Sequence, residues 1–490
     1  MFNPRTRYVD TDRTGPETDR TALDRSSTER SSDGVVSSAG EDSSCSSTGE
    51  DDPSSRTATD ARPSRSRRSV LGALGTAAVV GFAGCTEVLG TGVVPADEPL
   101  CLWNERFVEE IQHFRGGNFA PTRRGALLNV AMFDAANGVA AAAGDDHFEP
   151  YLVDPTDAPA DASVLAAAAG AAHETMTELY GGEFDDDLQA TLAAAEGGDV
   201  DAGEQWGRTV ATVLLEHRDD EYATDIYIPC EEPTQPGCFR RDWNPVHARV
   251  EPWAMDSRDQ FRSDGPPALE SEAYADDWWE VYELGNDADD RPQEHVDVAA
   301  FWRGAAGSPR PPNMWNVITQ KIVVDESLSV LEECRLFALL SLALADAGIA
   351  GSEAKYEYGF WRPRTAIHEA DRDGNPETHA DGTWAPLSVG GSPEYTSTLA
   401  AYGGAGCAVL EGVLGSGEYA FEFGSDIRTG TAGEDEGVVR SHDSLGDALE
   451  ESIDSRIYLG NHFRSAMVDG REQGERIGEW LLENSLRPVE

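Results

Sequence analysis

Residues 327–350 read SLSVLEECRLFALLSLALADAGIA and carry a sustained apolar pattern. Leu331, Leu339 and Leu342 are spaced so that they share one face of a helix. From residue 103 onward the sequence shows almost none of the apolar–polar alternation that is typical of strands. We therefore predict an all-α protein in which two helical bundles pack together. The bundles are predicted at residues 103–290 and 291–490, and the further helices at 121–143, 163–180, 202–217, 393–414 and 462–483.

The composition is strongly acidic. The 490 residues include 90 acidic and 38 basic side chains, which gives a formal net charge of −52. Such a polyanion repels phosphate backbones, so nucleic-acid binding is excluded as a main activity. A hydrophobic content of 39% excludes wholesale disorder. Lys321 and Lys355 are the only lysines, and an acidic chain so poor in lysine is typical of proteins that stay soluble in concentrated salt. We predict a halophilic protein.

The amino-terminal region has the pattern of an export segment. Residues 1–66 are almost entirely polar, so we predict that they are disordered. In residues 67–85, twin arginines precede a short apolar run that ends at Cys85, which resembles a twin-arginine signal with a lipoprotein processing site. The alternative is an ordinary buried helix. We expect an exported chain, anchored by lipid on Cys85 to the outer face of the cytoplasmic membrane, with residues 86–102 as a tether.

The seven cysteines are too few for a small disulfide scaffold. Export permits disulfides, and Cys230 and Cys238 flank a loop rich in proline and glycine that a disulfide could close. A metal site at this loop is less favoured, because no histidine lies at the spacing of a zinc ligand.

The segment AKYEYGFWRP at residues 354–363 places Lys355 and Arg362 seven residues apart. Seven residues are two helical turns, so both charges would face one side of a helix, and Pro363 favours a helix end at Arg362. Two cations on one side repel each other unless an anion lies between them. The pair is therefore a candidate anion site. The alternative is a pair of surface cations that cover aromatic side chains.

Two later segments also have residues suited to an anion site. In SRIYLGNHFR at residues 455–464, Gly460 allows the chain to turn between Arg456 and His462. In GGSPEYTSTLA at residues 390–400, a turn leads into a helix with hydroxyl groups at its start, where free backbone N–H groups and the helix dipole favour an anion. Each segment has an alternative interpretation. His462 in the first could be a purely structural histidine, and the hydroxyl groups in the second could simply cap the helix.

In their order and spacing, these three segments resemble the vanadium-dependent haloperoxidase family. That family lies within a superfamily that includes type-2 phosphatidic acid phosphatases and bacterial acid phosphatases. The resemblance covers roughly residues 103–485 and includes AMFDAAN at 131–137, VEPW at 250–253 and FW at 301–302. It implies a helical fold that holds vanadate as its cofactor, with phosphate as a competing oxyanion.

The resemblance also implies an activity, which is the oxidation of halide by hydrogen peroxide to hypohalous acid. The implied oxygen-binding residues are Lys355, Arg362, Ser397, the backbone N–H of Thr398, and Arg456, and the implied vanadium ligand is His462. The implied catalytic set is His462 with Lys355, Arg362 and Arg456.

The chain departs from the family in the third segment. The family shows Pro-Ser-Gly-His where this chain reads Thr396-Ser397-Thr398-Leu399, so a leucine replaces the acid–base histidine. General acid–base catalysis typically contributes ~10² to 10⁴-fold in rate. We therefore expect slow turnover, with bromide preferred over chloride. His442 is a candidate to replace the missing proton donor. The simpler alternative is that His442 is a solvated loop residue or a cap residue.

Two other functions stay open. The first is an acid phosphatase in which His462 attacks a phosphate ester. It needs an acid for the leaving group, which Leu399 cannot supply. The second is a lipoprotein that binds phosphate or vanadate without catalysis. The sequence does not indicate an oligomeric state or an organic acceptor.

Overall fold

The computed structural model describes residues 99–113, 117–219, 234–241, 243, 245–288, 290–304, 307–425 and 438–489. The predicted export signal, the Cys85 attachment site and Cys230 lie outside the described residues. Export, lipid attachment and a disulfide between Cys230 and Cys238 therefore stay predictions. The boundary between two bundles at residue 290 also stays a prediction.

The described part of the chain contains thirteen α-helices and one two-stranded sheet, and this confirms the all-α prediction. The first seven helices are α1 (Pro99–His113), α2 (Phe119–Ala143), α3 (Val164–Tyr180), α4 (Asp185–Ala193), α5 (Val200–His217), α6 (Glu272–Leu284) and α7 (Gln293–Trp302). The other six are α8 (Arg310–Val323), α9 (Val330–Tyr358), α10 (Pro363–His368), α11 (Thr398–Leu414), α12 (Leu445–Tyr458) and α13 (Arg464–Asn484). The antiparallel strands are β1 (Phe421–Ser425) and β2 (Val438–His442).

Helix α9 runs through the centre of the core. It begins with a capping box between Ser329 and Glu332 and ends at Gly359, whose φ of 51° is left-handed. The apolar pattern predicted a helix over residues 327–350, whereas α9 continues to Tyr358. Its glycines serve close packing, since a Cβ at Gly351 would lie 2.4 Å from Cγ2 of Thr398 in α11.

Helices α2 and α9 are long and apolar enough to cross a membrane by composition. Within the protein, however, 83% and 94% of their apolar windows are buried. The two helices pack against each other, and α9 also packs against α11 and α13. This burial is typical of core helices.

Helices α11 and α13 approach each other through glycine. A Cβ at Gly474 would lie 2.0 Å from the carbonyl oxygen of Ala401, and one at Gly470 would lie 2.5 Å from that of Ser397. The N–H of Ser397 donates to the carbonyl of Ala466 at 3.0 Å. This contact fixes the start of α11, where the third sequence segment lies.

Two parts of the carboxy-terminal half differ from the sequence prediction. The helix predicted from residue 393 begins only at Thr398, because carbonyls of the preceding segment bind a lysine instead of helical N–H groups. The stretch 415–441, which lies within the chain predicted to be all-α, contains β1 and the start of β2. Phe421 and Phe423 alternate with exposed Glu422, and their side chains are buried in the core.

Candidate functional site

A small aromatic core surrounds the three sequence segments. It is separate from the main apolar core and includes Tyr274, Trp278, Phe360, Trp361, Trp384, Tyr395 and Phe463. The basic and acidic residues of the site are chain neighbours of these rings: Arg362 follows Trp361, and His462 precedes Phe463. The packed rings therefore hold the charged side chains out of contact with bulk water, and electrostatic interactions there are strong.

Lys355 lies in the last turn of α9 and is 3% exposed. Its Nζ donates to the carbonyl oxygens of Pro393 (2.9 Å), Glu394 (2.8 Å) and Thr396. These bonds use all three N–H groups of the ammonium. Burial lowers the pKa of Lys355 well below its usual value, the Arg362 charge lowers it further, and Glu394 opposes the shift. Lys355 therefore fastens the segment before α11 to the end of α9.

Arg362 does not lie in the same helix as Lys355, so the prediction that both charges face one side of a single helix is wrong. The chain leaves α9 at Gly359, and Arg362 is the N-cap of α10, in agreement with the effect expected of Pro363. Its guanidinium Nε donates to the carbonyl of Ser392 at 2.9 Å. One terminal nitrogen donates to the carbonyl of Asn461 at 2.7 Å and to Nε2 of His462 at 2.9 Å.

His462 is held on both ring nitrogens. Because a guanidinium only donates, Nε2 must accept from Arg362, and the ring proton must lie on Nδ1. Nδ1 then donates to Oε1 of Glu394 at 2.8 Å. The turn at Gly460, with φ of 67°, brings the imidazole back toward the end of α12 as the sequence suggested.

The basic residues all act electrostatically on this imidazole. Burial lowers the pKa of His462 well below its usual value, and the charges of Arg362, Lys355 and Arg456 lower it further. Burial also lowers the pKa of Arg362 to about 10 and that of Arg456 to about 9. The structure therefore brings the buried side chains of Lys355, Arg362 and His462 together around Glu394, with buried Arg456 near enough to act on the imidazole electrostatically. Their role as oxyanion ligands stays a prediction.

Among the predicted oxyanion-binding residues, two side chains have a buried donor without a hydrogen-bond partner in the described part of the chain. Arg456 is 8% exposed, and its Nε is buried without a partner, although one terminal nitrogen lies 3.5 Å from the carbonyl of Arg303. Ser397 is completely buried at the N-cap of α11, and its hydroxyl neither caps the helix nor meets an acceptor. The helix-cap alternative is therefore wrong for the Ser397 side chain.

Two other positions from the sequence analysis, and His368 at the end of α10, lie apart from these contacts. Leu399 is 7% exposed and belongs to the main apolar core. His442 is paired with Glu451 at 3.0 Å and lies buried beside the ring of Phe421, so it is not a solvated loop residue. Its hydrogen bond within the described residues is to Glu451 and not to the basic cluster. His368 bonds the carbonyl of Trp384 at 2.7 Å.

Sequence reasoning missed Glu394, which is completely buried in the middle of the cluster. Its Oε1 also accepts the N–H of Phe463 at 3.0 Å. The sequence contained a signal for this residue. Two neighbouring cations repel each other unless an anion lies between them, and Glu394 is the one acidic residue of GGSPEYTSTLA. Only the fold shows that this carboxylate supplies that charge.

A family model described as the VCPO second helical-bundle domain matches residues 335–490, the range that contains every predicted oxyanion-binding residue. The curated vanadium chloroperoxidase of Curvularia inaequalis is 25% identical over 376 residues, or 64% of this chain and 60% of the relative. Residues 335–490 therefore match a domain model of this family, and the chain is similar to a vanadium haloperoxidase over most of its described length. Because it spans only 60% of that relative's length, the relative's activity reaches this chain only as a proposal.

Solved structures of the vanadium haloperoxidase family share the fold. The structure described as the first bacterial vanadium-dependent iodoperoxidase matches with a TM-score of 0.64 and 23% identity, over 81% of this chain and 98% of that one. A holo-type bacterial vanadium-dependent chloroperoxidase matches with a TM-score of 0.55 and 17% identity, over 80% of this chain and 92% of that one. At these identities the likeness establishes the architecture.

The residues of the cluster fit a small oxyanion. Ser397 Oγ and Arg456 Nε are buried donors that still need acceptors, and Nε2 of His462 carries a lone pair among basic groups. Lys355 differs from the expectation, because its N–H groups already have backbone acceptors. Within the described residues, no group of three His, Cys, Asp or Glu side chains could hold a metal ion.

Proposed function

We propose that this protein binds vanadate in the basic cluster and oxidises halide with hydrogen peroxide, slowly and with bromide preferred over chloride. The observation that carries the proposal is the neutral imidazole of His462, whose Nε2 lone pair faces a guanidinium inside a cluster of three basic side chains. Such a lone pair is the donor that a metal oxyanion requires. When bound, vanadate supplies Lewis-acid activation of peroxide.

The chain's own residues divide the work of binding. Arg456 Nε and Ser397 Oγ are the donors that remain for oxyanion oxygens, together with the backbone N–H of Thr398 at the start of α11. Arg362 would exchange its bond to His462 for one to the oxyanion, because both need the same guanidinium nitrogen. Lys355 contributes charge while it keeps its backbone bonds.

The slow rate follows from residue 399. In this proposal no imidazole exchanges protons with the bound substrate, because Leu399 lies where the family has histidine and its side chain packs in the apolar core. His442 does not replace it, since its Nε2 is bonded to Glu451. Peroxide chemistry would then depend on binding and electrostatics alone, without general acid–base help.

The test is a bromination assay in molar sodium nitrate, a salt that supplies neither halide nor a tetrahedral oxyanion. Protein loaded with orthovanadate receives hydrogen peroxide and either bromide or chloride, and bromination of an indicator dye is followed. We expect vanadate-dependent bromination that is lost in His462→Ala. Release of p-nitrophenol from its phosphate ester without bromination would instead establish the phosphatase. Neither activity, with vanadate bound, would establish a non-catalytic binding protein.

A further inference from the structure

Glu394 is hydrogen-bonded within the site through both its backbone and its carboxylate. Its N–H donates to the carbonyl of Phe360 at 2.9 Å, and its carbonyl accepts from Nζ of Lys355 at 2.8 Å. Its Oε1 accepts from Nδ1 of His462 and from the N–H of Phe463. Backbone and carboxylate are therefore both fixed, and the carboxylate cannot rotate away from the imidazole without loss of these bonds.

The burial of Glu394 also has to be explained. A completely buried carboxylate is costly unless charges and hydrogen bonds compensate it. Burial raises the pKa of Glu394, and the charges of Arg362 and Lys355 oppose that shift. Its Oε2 has no partner among the described residues, so the carboxylate is not placed there to complete a hydrogen-bond network. The one side-chain donor that it engages is His462.

We propose that Glu394 is the positioning residue of this site: its carboxylate accepts a hydrogen bond from Nδ1–H of His462, which keeps the ring proton on Nδ1 and presents the Nε2 lone pair to the basic cluster. This inference rests on the proposed function. Carboxylates behind ligating histidines fix the tautomer and ring orientation and raise the basicity of the ligand. In this chain the same carboxylate also offsets the repulsion between Lys355 and Arg362.

The first test reads the tautomer directly and needs no vanadate. The full chain is labelled with ¹⁵N-histidine, and the signal of His462, one of ten histidines, is assigned by its loss in His462→Gln. We expect the Nδ1–H form in the wild type and a shift toward the Nε2–H form in Glu394→Ala. An Nε2–H form in the wild type, or the same form in both proteins, would overturn the inference.

The second test measures vanadate affinity by equilibrium dialysis. Loss of a carboxylate behind a ligating histidine typically costs about 10–100-fold in affinity, and we expect this loss in Glu394→Ala. Glu394→Gln keeps the shape and one oxygen acceptor, so it should fold and give a smaller loss. Glu333→Gln is the matched control, because Glu333 is buried on α9 beside Cys101, and its affinity should equal that of the wild type.

The two tests separate this inference from the proposed function. Wild-type affinity in Glu394→Ala would overturn the positioning role while vanadate binding stands. If the wild type binds no vanadate, the proposed function fails, and the tautomer still decides whether Glu394 sets the state of His462.

Discussion

Lys355 shows how one side chain can serve both fold and site. Its ammonium group donates to carbonyls of three residues in the segment that precedes α11. That segment carries Glu394 and ends at Ser397, so its position sets the distance between the α9 end and the α11 start. Lys355 is one of two lysines in the chain, so the other, Lys321, can serve as a control for substitutions of Lys355.

Lys355→Met should lower the free energy of unfolding by about 2–4 kcal/mol, because buried carbonyls would lose a charged donor. It should also weaken vanadate binding. Chemical denaturation and dialysis measure the two effects. Lys321→Met is the control, since Lys321 is exposed on α8, and it should change neither. If Lys355→Met loses affinity at unchanged stability, Lys355 is a direct ligand and its role as a fastening residue is wrong.

Leu399→His should raise the bromination rate at saturating vanadate by about 10²-fold or more, the lower end of the contribution of general acid–base catalysis. Burial of an imidazole in place of a 7% exposed leucine should cost about 1–3 kcal/mol of stability. Leu399→Asn adds polarity without a suitable pKa and should leave the rate low. Equal rates for the histidine variant and the wild type would mean that proton transfer does not limit turnover.

The sequence reveals the residues of the site more readily than their bonds. Lys355, Arg362, Arg456 and His462 could be found because permanent charges and an imidazole are unusual beside aromatic residues. The partners of Lys355 could not, since backbone carbonyls of residues 393–396 have no sequence signature and become acceptors only when that segment stays out of the helix.

At the scale of elements, glycine decides how closely the site segments approach. Gly474 on α13 lies against the backbone of Ala401, and Gly351 on α9 lies against Thr398. The first residues of α11 therefore pack closely between α9 and α13. The glycine residues are visible in the sequence, but a contact between distant helices cannot be seen in local spacing.

Gly474→Ala should destabilise the protein by about 1–3 kcal/mol or more, because the new Cβ would lie 2.0 Å from a carbonyl oxygen, and backbone cannot yield as a side chain can. Vanadate affinity should fall with it, since α11 carries Ser397 and Thr398. Thermal unfolding and dialysis measure both. Gly446→Ala on α12 meets no atom closer than 3.7 Å and should be neutral or slightly stabilising. Equal effects of the two substitutions would contradict the close approach.

Other elements were predicted unevenly. Apolar spacing that repeats over several turns predicted six helices, which correspond to α2, α3, α5, α9, α11 and α13. The sequence did not predict α1, α4, α6, α7, α8, α10 or α12. Helix α8 begins at Arg310 with two prolines in its first turn, a composition that also fits a loop. The β1–β2 pair was missed because each strand has five residues, too short for alternation to stand out among turns.

For the whole molecule, charge is the dominant property. A formal charge of −52 repels itself unless salt screens it, and the Debye length falls from about 10 Å at 0.1 M to about 3 Å at 1 M. The free energy of unfolding should therefore rise steeply between 0.1 and 2 M potassium chloride. Sucrose at equal osmolality is the control for general solvent exclusion and should stabilise less. A stability that does not depend on salt would contradict the halophilic interpretation.

The most direct test of the central claim is a titration of the purified chain with orthovanadate in molar sodium nitrate, followed by vanadium NMR. The account predicts one vanadate bound per chain, displacement by phosphate, and loss of the bound signal in His462→Ala. No bound vanadate in the wild type, or equal binding by His462→Ala, would contradict it.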